Sequence, residues 1–326
     1  MTTKEKVLAA LERHRGTHVS GEMLAQELHA SRAAVWKAIQ ALRGEGYKIA
    51  GVNNRGYALS DDTDRLTAAG ISACLSKALS EKIDICAFDS VDSTNNEAKR
   101  RIAAAHSLPA DRAMLIVAES QSAGRGRMGR SFYSPPESGL YMSFVFTVAA
   151  DLSDAVGITG AASVAVVRAI RACTGKETQI KWVNDVLLDG KKVCGILTEA
   201  VTSLENGHTG QIVVGIGINC GAADFPEEVA AVATSVGKVR RCALCAAVAE
   251  ELYGFVEHLA DRPWMEDYRA ASAVLGKEIR CIQGENVYEA VAVAIDDMGG
   301  LTVRREDGAC QTIRSGEVSV RFTENS

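Results

Sequence analysis

The segment GRGRMGR at residues 124–130 places Arg125, Arg127 and Arg130 between glycines. Arginine side chains offer paired N–H donors to phosphate and carboxylate oxygens, and glycines let a backbone fold closely over a ligand. Because three closely spaced cations repel one another, we expect the loop to be poorly ordered until an anion binds. The segment predicts a clamp over an anionic ligand, and a solvated basic loop is the alternative.

Gly124, Gly126 and Gly129 also satisfy the dinucleotide-binding pattern G-x-G-x-x-G. In that class the pattern opens a helix, and an acidic residue follows about 20 residues later. Here Pro135 and Pro136 obstruct a helix. The P-loop pattern G-x-x-x-x-G-K-[ST] does not occur in the sequence. Both nucleotide-binding classes are therefore excluded.

A polar cluster precedes the arginine segment in the chain. Ser93, Thr94 and Asn95 lie where a predicted strand closes and a predicted helix opens, so their side chains and the free backbone N–H groups converge at one place. A strand predicted over residues 114–118 then leads into the arginine segment. The cluster is equally consistent with a binding site and with an ordinary helix cap.

Residues 179–200, QIKWVNDVLLDGKKVCGILTEA, show strand alternation and a D-G turn at Asp189 and Gly190. Lys181 lies between Ile180 and Trp182 in the first of these strands. A buried lysine needs a compensating partner, and an anionic ligand would supply one.

Three further features surround this lysine. Asn184 and Asp185 end its strand and suit polar or metal contacts, whereas Lys191 and Lys192 beside the turn are expected to be only solvated. The later strand QIVVGIGINC contains Asn219 near its end, and its glycines allow a ligand or another backbone to approach closely.

Charge is distributed unevenly along the chain. The first 60 residues carry nine Lys and Arg against five Glu, a formal charge of +4, and the remainder carries −9. The total of −5 argues against indiscriminate nucleic-acid binding. A basic N-terminal unit on an acidic body is expected if only the first part meets a polyanion.

The N-terminal part has the signals of a winged helix-turn-helix. Three helices are predicted, the third capped by Ser31, and a hairpin follows with its turn at Asn53 and Asn54. Trp36, beside the apolar stripe of the third helix, is expected to be partly in the core. The side chains that suit phosphate and base-edge contacts are Ser31, Arg32, Lys37, Gln40 and Arg55. A solvated helix face in a protein-interaction module is the alternative.

The overall composition is that of a globular protein. The 326 residues are 47% hydrophobic and 24% charged, which suggests two or three domains and excludes disordered or collagen-like chains. Nine scattered cysteines predict reduced thiols rather than disulfides, with Cys242 and Cys245 as core positions of one helix. The longest apolar stretch, residues 161–170, is too short to cross a bilayer, and the N-terminus lacks the apolar region of a signal peptide. These features predict a cytoplasmic protein.

The motifs together resemble those of biotin–protein ligases. The matching segments are DSTN at 92–95, ESQSAGRGRMGR at 119–130, KWVND at 181–185, KVCGILTE at 192–199 and VGIGIN at 214–219. With a winged helix in front, the order is similar to that of bacterial ligases that also repress the biotin operon. The resemblance implies a mixed α/β fold in three domains: a DNA-binding domain at 1–62, a catalytic domain at 66–270, and an SH3-like β-barrel at 272–324. Five short predicted strands after residue 276 agree with the barrel.

The resemblance implies two chemical steps. Biotin's carboxylate attacks the α-phosphate of MgATP to give biotinyl-5′-adenylate, and a lysine of the biotin carboxyl carrier protein of acetyl-CoA carboxylase then displaces AMP. The residues implied to bind biotin are Ser93, Thr94, Asn95, Gln121, Arg125, Gly126, Arg127 and Lys181. Those implied to bind the nucleotide are Arg125, Arg127, Arg130 and Asn219, and the implied catalytic pair is Lys181 and Arg127. By resemblance, Glu317 and Arg321 match positions near the active-site side of the barrel, and alternating polar residues on an outer strand would explain them equally well.

Regulation is implied as well. ATP, Mg2+ and biotin would be the small-molecule substrates, with no tightly bound metal and no magnesium ligands assigned. Adenylate would favour a homodimer that binds biotin operator DNA, and no membrane association is expected. Met128, the pair Phe132-Tyr133, and Val183 depart from the family's usual arginine, Trp-Phe pair and proline, and the first leaves less charge on the clamp.

Three alternatives stay open on the sequence. The chain could be a lipoate ligase or acyltransferase, because those enzymes share the catalytic fold. The chain could also be a ligand-sensing repressor with an inactive catalytic body, or a ligase whose winged helix no longer regulates.

Overall fold

The computed structural model of the protein describes residues 2–52, 55–61, 63–105, 108–109, 111–148, 155–202, 210–222, 225–314 and 316–320. Three helices with a two-stranded hairpin come first, a seven-stranded sheet with its helices follows, and a five-stranded sheet comes last. This architecture agrees with the predicted fold class. The three domain boundaries stay predictions.

The N-terminal unit is built around one small apolar core. Its elements are α1 (Thr3–Arg13), α2 (Gly21–Glu27), α3 (Arg32–Gly44), β1 (Ile49–Val52) and β2 (Gly56–Leu59). Ser20 and Ser31 cap α2 and α3 by accepting backbone N–H bonds, as expected of serine at a helix start. The two strands pair antiparallel, and the predicted turn residues Asn53 and Asn54 lie outside the described residues.

The central unit is a sheet in the order β3-β4-β5-β9-β8-β7-β6, in which only β3 and β4 are parallel. Its strands are β3 (Ile83–Val91), β4 (Ala113–Gln121), β5 (Gly139–Val148), β6 (Gln179–Lys181), β7 (Asp185–Leu188), β8 (Lys191–Thr202) and β9 (Gly210–Asn219). Its helices are α4 (Ala68–Ser72), α5 (Lys77–Ser80), α6 (Thr94–Ala105), α7 (Ala155–Thr174), α8 (Glu227–Ala230), α9 (Arg241–Val256) and α10 (Met265–Ala270).

Helices cover both faces of this sheet, but unequally. On one face α7 and α9 pack over the main core, which includes Leu115, Val117 and Phe144. On the other face α6 covers a smaller apolar cluster that includes its own residues Ala98 and Ile102. The rest of that second face is therefore available for a ligand cleft.

Helix α7 runs well beyond the apolar stretch seen in the sequence. Of the described helices it alone is long and apolar enough, over Val156–Thr174, to cross a membrane by length and composition. However, 67% of its most apolar stretch is buried inside the protein. Its packing on the sheet and on α9 is that of a core helix.

The last unit is an antiparallel sheet in the order β13-β12-β11-β10-β14. Its strands are β10 (Glu278–Gln283), β11 (Asn286–Ile295), β12 (Leu301–Arg304), β13 (Cys310–Ile313) and β14 (Glu317–Val320). The Trp182 indole N–H donates to the Gly299 carbonyl at 3.0 Å, which ties this sheet to the central unit. Arg321 lies outside the described residues.

All nine cysteines are free thiols, as predicted. Cys242 and Cys245 are buried on α9, and burial raises the pKa of the Cys242 thiol to about 12. Such thiols are unreactive core groups, which agrees with their interpretation from the sequence.

Candidate active site

A cleft opens on the α6 face of the central sheet, where the parallel strands β3 and β4 end. It holds about 450 Å³ of atom-free space, part of it open to solvent. Seven of the residues predicted to bind ligand line it, namely Ser93, Thr94, Asn95, Gln121, Arg125, Gly126 and Arg127. Segments far apart in the sequence are thus brought together as the resemblance implied.

One end of the cleft is polar and already ordered. The Gln121 side-chain oxygen accepts the backbone N–H of Thr94 at 2.8 Å and its hydroxyl at 3.2 Å, so it caps the start of α6. The Gln121 amide group donates to the Ser134 hydroxyl at 2.9 Å. The helix-cap and binding-site interpretations of this cluster are therefore compatible.

Asn95 is held even more tightly at this end. Its side-chain oxygen accepts the Ser143 hydroxyl at 2.6 Å, and its amide donates to the Glu199 carboxylate at 2.8 Å. Lys99 pairs with the same carboxylate at 2.7 Å. Burial opposes ionisation of Glu199, but the hydrogen bonds from Lys99 and Asn95 outweigh it and lower the pKa of this carboxyl group.

Glycines form the floor of the cleft. Gly195, Gly215 and Gly217 lie in the adjacent strands β8 and β9. A Cβ at Gly215 would come within 2.3 Å of the Asn95 side-chain oxygen, and one at Gly217 within 2.5 Å of the Phe132 ring. The sequence predicted that a ligand or another backbone approaches this glycine-rich strand closely; in the structure the groups that lie closest to Gly215 and Gly217 are the side chains of Asn95 and Phe132.

The arginine segment folds over the cleft, and each of its three guanidinium groups has an acceptor. Arg127 donates to the Asn184 side-chain oxygen at 2.9 Å and to the Gly316 carbonyl at 3.2 Å. Arg125 donates to Asn96 at 3.3 Å, and Arg130 pairs with Glu317 at 2.8 Å. The mutual repulsion expected from the sequence takes no account of these partners, two of which, Gly316 and Glu317, belong to the last unit.

Arg127 differs from the other two arginines in the charge of its partners, because Arg125 also lies 3.9 Å from a carboxylate oxygen of Glu199 and Arg130 pairs with Glu317. Both of its acceptors are neutral, and among the described residues no carboxylate forms an ion pair with it. Its positive charge is therefore available to an anion in the cleft.

The lysine that lines the cleft is Lys192, not Lys181. Its ammonium lies 2.6 Å from a carboxylate oxygen of Asp185 and extends over Gly195, where a Cβ would be 3.0 Å from it. Lys192 was expected from the sequence to be only a solvated residue beside the turn. The predicted D-G turn does form, with positive φ at Asp189 and Gly190, and it returns β8 along β7 so that Lys192 meets Asp185.

Lys181, Asn219 and Arg130 are not among the residues that line the cleft. Lys181 is half-buried in the edge strand β6, opposite Asp185. The buried Asn219 amide donates to the backbone carbonyl of Thr234 at 3.0 Å and therefore fastens the end of β9. Their ligand roles stay predictions.

The predicted DNA-contacting residues lie together on the N-terminal unit. Ser31, Arg32 and Lys37 are exposed on α3, Arg55 is exposed beside the hairpin turn, and Gln40 is half-buried. Trp36, which we expected to be partly in the core, is 54% exposed on the same helix. Within the described ranges, no group of three or more His, Cys, Asp or Glu is arranged to hold a metal ion.

Sequence profiles of known families match the three units. The Biotin/lipoate A/B protein ligase family matches residues 87–219, an HTH domain matches 3–58, and the biotin protein ligase C-terminal domain matches 274–321. The fold and cleft thus define a ligase of the biotin/lipoate class that carries a helix-turn-helix domain.

Individual relatives narrow this class. The bifunctional ligase/repressor BirA of Bacillus spizizenii is 32% identical over 306 residues, covering 89% of this chain and 90% of its own length. That of Escherichia coli is 28% identical over 331 residues, covering 99% and 98%. The biotin protein ligase of Aquifex aeolicus, solved with biotin and ATP, superimposes with a TM-score of 0.60 at 26% identity, covering 73% of this chain and 98% of that one. The chain belongs to the bifunctional ligase/repressor BirA family, which confirms the resemblance seen in the sequence.

Proposed function

We propose that this protein makes biotinyl-5′-AMP from biotin and MgATP and transfers the biotinyl group to a lysine of a biotin carboxyl carrier protein. The observation that carries the proposal is a pair of cations at the cleft, Arg127 and Lys192, held by the neighbouring residues Asn184 and Asp185. The biotin and ATP in the Aquifex complex, and the name biotin–[acetyl-CoA-carboxylase] ligase carried by a Mycobacterium tuberculosis relative, support the substrates and the carrier.

The polar end of the cleft suits the ureido group of biotin. Ser93 and Thr94 provide hydroxyls, and Gln121 holds the start of α6 in place. The side-chain oxygen and amide of Asn95 already form hydrogen bonds with Ser143 and Glu199, so we assign Asn95 the role of fixing the shape of this end. Biotin would then extend its carboxylate along the glycine floor toward the two cations.

The first step brings two anions together. A biotin carboxylate oxygen attacks the α-phosphorus of MgATP, forming the mixed anhydride and breaking the bond to pyrophosphate. Arg127 and Lys192 lower the repulsion between the reactants and stabilise the charge that develops on the phosphoryl oxygens. We assign this role to Lys192 because it lines the cleft, and Lys181 is the sequence-based alternative. Magnesium enters as part of the nucleotide substrate.

In the second step the carrier lysine attacks the acyl carbon, loses a proton, and releases AMP. The mixed anhydride is reactive toward water, so a loop that closes over it limits hydrolysis and escape. We assign this task to the arginine segment, and the support for it is that Arg125, Gly126 and Arg127 all line the cleft.

Binding of the adenylate at the cleft would control DNA binding by the N-terminal unit. We propose that adenylate binding favours a homodimer, which doubles the contacts made by a single helix-turn-helix on a palindromic biotin operator. Sedimentation with and without adenylate tests this step. Identical dimerisation constants would contradict the regulatory part and leave the ligase part intact.

The ligase activity is tested by incubating the protein with ATP, magnesium, biotin and an apo-carrier domain, followed by mass measurement of the carrier. We expect one biotinyl group per carrier, none without ATP, and none when lipoate replaces biotin. An unmodified carrier, or equal labelling by lipoate, would contradict the proposed activity.

A further inference from the structure

Six charged side chains form two partly buried clusters between the N-terminal unit and the central sheet, joined through the chain neighbours Arg240 and Arg241; together we call them the network. The members are Glu12, Arg15 and Arg240 in one half and Asp64, Glu119 and Arg241 in the other, three of each sign, so the network is neutral overall. The Glu12 and Arg241 side chains are each only 2% exposed. None of these residues lines the cleft.

One half of the network belongs to the N-terminal unit. Glu12 on α1 pairs with Arg15 at 2.6 Å and with Arg240 at 3.3 Å. Arg15 also donates to the backbone carbonyls of Ser60 at 2.7 Å and Thr63 at 2.8 Å. The chain that leaves the hairpin is therefore fastened back onto α1.

Arg241 holds the other half. Its guanidinium pairs with Asp64 at 2.7 Å and with Glu119 at 2.7 Å, and it donates to the Asp64 carbonyl at 2.8 Å. Glu119 also accepts the backbone N–H of Leu66 at 2.8 Å. One arginine and one glutamate thus fix the segment that enters the central sheet.

The same two residues hold strands that lie next to the biotin end of the cleft. Glu119 lies on β4 two residues before Gln121, which caps α6. Arg241 also donates to the carbonyl of Gly139 at 3.1 Å, the first residue of β5. The end of β4, which supplies Gln121 to the cleft, and the start of β5 are therefore anchored by the group that anchors the entering segment.

We propose that Arg241 is a positioning residue that couples the seating of the DNA-binding unit to the geometry of the biotin end of the cleft. Removing one member of the Arg241 half leaves a buried charge without its partner, so this half favours a closed state, with all its ion pairs made, over partly opened ones. A ligand that orders the end of β4 would favour the closed state and hence the seated N-terminal unit. By linkage, seating that unit would strengthen ligand binding by the same factor.

The test uses the full chain and the variants Asp64→Asn, Glu119→Gln and Arg241→Lys, which remove one partner or the bridging guanidinium. The readouts are kcat and KM for biotin in pyrophosphate exchange, and amide hydrogen exchange at residues 63–66 with and without biotin and MgATP. We expect KM for biotin to rise about tenfold, within the usual range of coupling between sites, and kcat to change less than about threefold. Ligand should slow exchange at 63–66 in the wild type and not in the variants.

Arg240→Gln is the matched control, because Arg240 contacts Glu12 but has no bond to β4 or β5 among the described residues. It should keep the wild-type KM and the ligand-dependent slowing. The inference is overturned if the three variants keep both properties, or if Arg240→Gln loses them equally. The inference rests on the proposed function, and the two failures are distinguishable: a wild type without exchange activity refutes both, whereas an active wild type with unaltered variants refutes the coupling alone.

Discussion

The Lys192 ammonium and the Asp185 carboxylate are 2.6 Å apart at the wall of the cleft, one residue along the chain from the Asn184 side chain that accepts from Arg127. The carboxylate holds the lysine in position when no other anion is near it. A phosphate or carboxylate that enters the cleft can take its place as partner, at little cost in reorganisation. The Lys192 ammonium is therefore positioned to pair with a reacting anion.

Replacing Lys192 with alanine should therefore impair adenylate formation. We expect kcat for biotin-dependent pyrophosphate exchange to fall about 10²–10³-fold, as when one oxyanion donor is lost. Lys191→Ala is the control, because the neighbouring ammonium donates to the Ala230 carbonyl instead. Lys181→Ala decides which lysine serves the first step, Lys181 as the sequence predicted or Lys192 as the cleft indicates. A larger loss of kcat in Lys181→Ala than in Lys192→Ala would reject the assignment to Lys192.

The contrast between these two lysines shows what sequence reasoning could reach. The sequence predicted the D-G turn and the strands on either side of it. The order of the motifs also predicted that Ser93 and Gln121 belong to one site. It did not place Lys192, because the pairing of β7 with β8 shifts register between Val186 and Leu187. A bulge of this kind changes which side chains reach a given face and leaves no local sequence signal.

Partners that are distant in sequence were also beyond prediction. The carbonyl that holds Arg127 belongs to Gly316, and the carboxylate that pairs with Arg130 belongs to Glu317. Their proximity depends on how the last sheet packs on the central unit. Periodicity and turn residues predict elements, but they carry no information on packing between units.

Arg127→Gly should release adenylate from the cleft. The substitution removes the cation whose charge has no carboxylate partner among the described residues, while Phe132 and the glycine floor remain. We expect faster adenylate escape and promiscuous labelling of unrelated proteins. The check is biotin transfer to serum albumin alongside the apo-carrier. Arg130→Gly, which removes only the ion pair with Glu317, is the control. Wild-type retention in Arg127→Gly would show that the clamp assignment is wrong.

Gly215→Ala should close the biotin end of the cleft. The new methyl group would lie 2.3 Å from the Asn95 side-chain oxygen, so Asn95 must give up its bond to Ser143 or shift. Overpacking of this kind costs about 1–3 kcal/mol of stability, and we expect KM for biotin to rise more than about tenfold. Gly210→Ala, in the same strand with no heavy atom within 4 Å of its added Cβ, should be neutral in both assays. Equal KM values for the two variants would contradict the proposed biotin position.

Glu199 should make stability depend on pH in the acid range. Lys99 and Asn95 lower the pKa of its carboxyl group in the folded protein, against the opposing effect of burial. Its contribution is therefore present above the unfolded pKa of about 4.3 and is lost as pH falls through the lower folded value. In urea unfolding, the stability difference between wild type and Glu199→Gln should shrink as pH falls from about 5 to about 3. The surface residue Glu257 provides the control variant, Glu257→Gln. A difference that stays constant over this range would contradict the role of the ionised carboxylate.

The exposed cations of the N-terminal unit should set the salt dependence of DNA binding. Arg32 and Lys37 project from α3, where they can reach phosphates, and removing either cation should reduce the steepness of log K against log salt by about 1 per protomer. For a dimer the reduction is about 2. The measurement is affinity at several salt concentrations for duplexes selected from a random pool by the adenylate-bound protein. Lys77 is also an exposed cation but lies on the central unit, so Lys77→Ala should leave the slope unchanged. If Arg32→Ala and Lys37→Ala also leave it unchanged, the DNA lies on another surface, because cations that neutralise phosphates release counterions whatever the base sequence.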